Sequence, residues 1–137
     1  MRLRTMRAFV VFAVAAMLGA ACGKGRTTTI GGQKANDHGT KTVSGSSFEL
    51  EADNDGKDFY FNPTILKGNP GEKVTLEIKN EGSVKHNFTV ESQEIDEDLN
   101  PDQTVNVTVT FPSSGVVGFH CEYHQKLGMV GALEASS

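Results

Sequence analysis

The sequence predicts an all-β fold, a Greek-key β-sandwich or barrel of about seven to eight strands, over residues 46–137. Three observations carry this. Apolar and polar residues alternate in short runs, turn-forming residues interrupt the runs every few positions, and nothing in this segment has helical periodicity. The 137 residues amount to one domain. A patterned region of this size buries a core with little surplus stability, so a bound ion would weigh heavily in its energetics.

The elements follow in order. Phe48, Leu50 and Ala52 alternate with polar neighbours. Phe59 to Phe61 form an aromatic run that Pro63 stops, and Ile65 and Leu66 come next. Asn69, Pro70 and Gly71 signal a turn. Val74, Leu76 and Ile78 alternate with Thr75, Glu77 and Lys79, the pattern of a half-buried strand. Asn80 to Ser83 make the next turn, Val84 to Glu91 the next strand, and Glu91 to Asp102 an acidic loop. Val105, Val107, Val109 and Phe111 alternate again, Pro112 to Gly115 turn the chain, and Val117, Phe119 and Cys121 resume the alternation. Met129 to Leu133 make a last short strand. Folds of this kind place their ligand chemistry in the loops at one end.

The N-terminal third reads differently. Arg2, Arg4 and Arg7 precede an uncharged run from Ala8 to Ala21, too short for a membrane span and suited to a secretion signal. Gly19, Ala20 and Ala21 then lead into Cys22. This resembles a bacterial lipoprotein signal, although Gly19 stands where the pattern usually has leucine. The resemblance implies removal of residues 1–21, a lipid on the Cys22 sulfur, and an exported, extracytoplasmic or periplasmic protein held to a membrane. Residues 22–45, rich in Gly and Thr and poor in large apolar groups, are expected to form a flexible tether. His38, within that tether, is not expected to bind metal. Loss of residues 1–21 removes three arginines and takes the formal charge from −4 to −7, which argues against nucleic acid as a partner.

The chemistry lies near the C-terminus. Cys121 is followed three residues later by His124, and Met129 comes five after that; His86 lies upstream, beside Asn87. The chain has two cysteines, so a lipidated Cys22 leaves Cys121 without a disulfide partner. Singly, each residue has a plainer reading: a buried cysteine, a core methionine, histidines on a strand and in a loop. Together they supply one thiolate, two imidazoles and one thioether, the donor set of a trigonal His-His-Cys copper site with a weak axial methionine. Zinc would accept the thiolate and imidazoles, but a thioether in fourth place suits copper better. A binuclear copper site would need a second cysteine in the loop, where Glu122, Tyr123 and Gln125 stand instead. His120 precedes Cys121 and should point to the opposite face.

The Cys-x-x-His-x-x-x-x-Met spacing with an upstream His-Asn resembles plastocyanin and its cupredoxin relatives. That resemblance implies one Cu(I)/Cu(II) ion on His86, Cys121, His124 and Met129. It implies that Asn87 braces the two ligand segments and turns its backbone amide toward the sulfur. It also implies that His124 is the partly exposed ligand through which electrons pass, with Leu127 and Gly128 near it. The expected protein is a monomeric, non-enzymatic electron carrier between a membrane-associated donor and an oxidase or reductase. Copper delivery or storage is the alternative, disfavoured because Met129 is the only methionine beyond residue 21 and no His-rich tract exists. The acidic stretch Glu91 to Asp102 could steer a basic redox partner. Cys22→Ala should move the protein from the membrane to the soluble fraction on cell fractionation, and continued membrane association would remove the lipid anchor from this account.

Overall fold

The computed structural model describes residues 25–137. The expected signal at 1–21 and Cys22 lie outside the described residues. Twelve strands and two single turns of 3-10 helix are found among those residues. The strands are β1 (Arg26–Ile30), β2 (Gln33–Asp37), β3 (Thr40–Thr42), β4 (Ser47–Asp55), β5 (Asp58–Asn62), β6 (Ile65–Gly68), β7 (Lys73–Asn80), β8 (His86–Val90), β9 (Ile95–Leu99), β10 (Thr104–Thr110), β11 (Val116–His120) and β12 (Val130–Ala135). Four of them form one sheet in the order β10-β7-β4-β5, and six form another in the order β3-β6-β12-β11-β8-β9. The expected all-β fold is borne out.

The period-2 signal works as physics says it should. Along β7, Val74, Leu76 and Ile78 are buried while Lys73, Glu77 and Lys79 are exposed. Those apolar residues, with Leu50, Phe61 and Val109 of the same sheet, join Phe88, Leu99, Phe119 and Leu133 of the other sheet in one core. Phe61 bridges the two layers, edge-on to Phe88 (ring centroids 5.9 Å apart) and to Phe119 (5.1 Å), the arrangement aromatic quadrupoles favour. Strand β8 is buried at all five positions because it is interior to its sheet and covered on both faces.

Two expectations are corrected. Residues 26–42, read as part of a flexible tether, form three strands of the fold. Gly31 and Gly32, at φ 55° and 81°, close a two-residue hairpin between Ile30 and Gln33; positive φ at both positions is what this tight turn requires. Ile30 and Ala35 of that hairpin pack on Val130 and Ala132, β3 lies parallel to β6, and Val43 enters the main core. The segment has too few large apolar groups to announce itself, and its order comes from partners distant in sequence. The acidic loop likewise contains β9, anchored by buried Leu99 and paired antiparallel with β8. Asp96, Glu97 and Asp98 are exposed along it, which protects a sheet edge from further pairing. These additions raise the strand number from the expected seven or eight to twelve.

Ala35 is fully buried, so Ala35→Asp should cost about 2–4 kcal/mol by burying a charge. Urea unfolding would show this as a lowered midpoint, whereas an unchanged midpoint would mean that the N-terminal hairpin is not docked.

Candidate metal centre

Strand pairing brings the donor-bearing segments to one end of the sandwich. β8 and β11 run antiparallel with His120 opposite Thr89. Residue 86, at the start of β8, therefore lies beside the loop that follows β11. Asn80 prepares the approach to β8: its buried amide donates to the carbonyls of Val84 (2.8 Å) and Leu99 (2.9 Å) and accepts from the Gly82 amide (2.9 Å).

The loop at 121–129 closes on itself. The His124 carbonyl accepts from the amides of Leu127 (2.9 Å) and Met129 (3.2 Å), and the Cys121 amide donates to the Met129 carbonyl (3.1 Å). Gly128, at φ 96°, makes the left-handed step that returns the chain. Met129 is thereby held next to Cys121 by main-chain bonds, with its side chain buried.

His86, Cys121 and His124 form a cluster whose donor atoms all lie within 4.8 Å of one another. The Nδ1 atoms of the two histidines are 3.3 Å apart, and His124 Nδ1 is 3.5 Å from Cys121 Sγ. Metal bonds of about 2.0–2.3 Å to imidazole nitrogen and thiolate sulfur give a trigonal plane edges of about 3.5–4 Å, so these residues fit one ion without large movement. Among the described residues no carboxylate joins the group.

Electrostatics suit a metal as well. Burial pushes the Cys121 thiol up, and the nearby backbone amides of Asn87, Tyr123 and His124 oppose that shift. Burial, and then repulsion from His124, lower His86 from 6.5 to about 4. Burial lowers His124 as well. Both imidazoles are thus neutral near pH 7, the form that binds metal.

Asn87 links the two ligand segments. Its Oδ1 accepts from the Glu122 amide (3.3 Å) and from Thr89 Oγ1 (2.6 Å), and its Nδ2 donates to Asp96 (2.7 Å) and Asp98 (3.1 Å). His120 is outside the cluster, with Nε2 3.9 Å from Glu91 Oε1. His38 is also outside it, bonded to Asp58 (3.0 Å) and stacked on Tyr60 at 3.4 Å between centroids.

Three further residues border the cluster, and the sequence carries no signal for their role there. The Phe59 ring stacks on His124 (centroids 4.1 Å apart, planes within 12°). Asn54 Oδ1 lies 3.3 Å from His86 Nε2. Asn36 donates from Nδ2 to the carbonyls of Phe59 and Leu127, both at 2.9 Å, clamping the ligand loop to β5. They sit on β2, β4 and β5, and no local motif ties those strands to the residues at 86 or 121–129.

The cupredoxin-like domain family matches residues 32–133. The chain belongs to the cupredoxin-like family. No match is found among curated protein sequences. Solved structures share the fold at low identity. Reduced auracyanin from the photosynthetic bacterium Roseiflexus castenholzii is 20% identical, with a TM-score of 0.52 over 68% of this chain and all of that one. Auracyanin B is 19% identical, with a TM-score of 0.54 over 69% of this chain and 91% of that one. The metal-binding domain of a Cu(I)-exporting P-type ATPase from Streptococcus pneumoniae D39 is 12% identical, with a TM-score of 0.55 over 73% of this chain and 98% of that one. In this cupredoxin domain His86, Cys121 and His124 are positioned as a copper site.

The depressed His86 value sets a pH dependence. The unfolded chain takes up a proton near 6.5 while the folded one resists until about 4. The unfolded state therefore binds more protons in that window, and stability falls as pH is lowered through it. Metal-free protein should show a declining urea midpoint from pH 6.5 to 4, and His86→Gln should flatten that decline.

Proposed function

We propose that this cupredoxin is a one-electron carrier working through a type 1 copper centre on His86, Cys121, His124 and Met129, with Met129 as the weak axial ligand. The convergence of one buried thiol and two neutral imidazoles at trigonal spacing is the observation that carries this reading. Bound there, copper supplies a Cu(I)/Cu(II) couple whose potential responds to the axial donor and to hydrogen bonds at the sulfur.

The protein's own groups provide the rest. The sandwich holds the donors close to their final spacing, so little rearrangement accompanies a change of charge. Three backbone amides at the Cys121 sulfur disperse thiolate charge and favour the reduced state. Burial of His86, Cys121 and Met129 keeps water from the centre. His124 is only partly covered and is flanked by exposed Tyr123 (48%) and Leu127 (56%), a suitable point of contact for a redox partner. The exposed carboxylates of β9 would favour a basic partner, and a lipid on Cys22 would keep the exchange local to a membrane.

Copper delivery predicts a ligand set open to exchange. Buried His86, Cys121 and Met129 favour retention instead. Transfer of copper to a metal-free acceptor within minutes would support delivery over electron transfer.

The purified protein with Cu(II) should develop an intense visible band near the red and cycle reversibly with mild reductants. Cys121→Ser should abolish the band in a folded protein, and Met129→Leu should retain copper with a raised reduction potential. A persistent band in the first variant would remove Cys121 from the ligand set; a lowered potential in the second would remove Met129 from the axial position.

A further inference from the structure

We propose that Asn54, on β4, is a positioning residue for His86: its side-chain oxygen holds the imidazole with its proton on Nε2, leaving the Nδ1 lone pair free for a metal. The assignment follows from which atoms can donate. Asn54 Oδ1 lies 3.0 Å from the Ser83 backbone nitrogen and 3.3 Å from His86 Nε2. A backbone N–H can only donate, so the amide atom it meets is the oxygen. The other end of the amide agrees, with Nδ2 3.1 Å from Ser83 Oγ, which accepts. A carbonyl oxygen cannot donate, so His86 Nε2 carries the hydrogen. A neutral imidazole has one such hydrogen, and Nδ1 is left as an acceptor.

That atom is the one turned into the cluster, 3.3 Å from His124 Nδ1. Asn54 thus sets both the tautomer of the ring and its angle, the role outer partners of metal-bound histidines perform. It does so from the opposite sheet, tying β4 to the start of β8. Gly82 leaves the space for this contact. A Cβ there would stand 2.7 Å from His86 Nε2 and overlap Asn54 Oδ1, so the turn before β8 needs glycine for packing, not for an unusual φ.

The inference rests on the reading of the cluster as a metal site, and its test begins without metal. Long-range proton–nitrogen correlation spectra of isotope-labelled, metal-free protein should show His86 as the Nε2–H tautomer. Asn54→Ala should give a mixture of tautomers and weaken Cu(I) binding about 10–100-fold, measured by competition with a chromophoric chelator. Asn54→Asp, which still presents an acceptor oxygen, should restore the single tautomer and most of the affinity. An Nδ1–H tautomer in the unaltered protein would overturn the assignment, as would Asn54→Ala with tautomer and affinity both unchanged. The ring measurement needs neither copper nor a variant, so its failure is distinct from failure of the copper reading, which the visible band of the unaltered protein decides.

Discussion

The antiparallel pairing of β8 with β11 is the constraint on which the site depends. With Thr89 opposite His120, the start of one strand and the end of the other share an end of the sandwich. A histidine 35 residues upstream of the cysteine becomes its neighbour. A slip of one residue would turn every side chain of β8 to the other face, and the core around Phe61, Phe88 and Phe119 resists such a slip. The hydrophobic core is therefore what fixes His86 against Cys121 and His124.

Around that frame the ligands are held from several directions. The backbone amides at the Cys121 sulfur come from the β8 segment and from the ligand loop. Asn87 ties those two segments together, Asn36 clamps the loop to β5, and Phe59 covers one face of His124. Donors so placed stand near their binding positions before metal arrives. Burial keeps the imidazoles neutral and excludes water. The same burial destabilises any protonated or unpaired state, so the site costs the apo fold stability that metal binding can return.

Much of this was legible in the sequence. Alternation marked β4, β7, β10 and β11, because a strand with one buried face writes its period directly into residue type. The offsets among Cys121, His124 and Met129 marked the loop, because three candidate donors on one short segment need no knowledge of topology. The N-terminal strands were not legible. Their apolar content is small, and they are held by Gly128, Ile65 and Leu66, residues far away in sequence. β9 was hidden for a related reason: its exposed carboxylates resemble a solvated loop, and only its pairing with β8 makes it a strand.

Residue identity and spacing alone determined the all-β class and the candidate donors, for which copper is the better-suited metal, since these follow from side-chain chemistry and from periods of two and a few residues. Tertiary structure decided that His86 meets Cys121 and His124, that Phe59 and Asn54 lie against the two imidazoles, and that residues 26–42 belong to the folded domain. Those facts depend on which strands become neighbours across the two sheets. Neighbours are chosen by the packing of the whole core, which no local stretch of sequence contains.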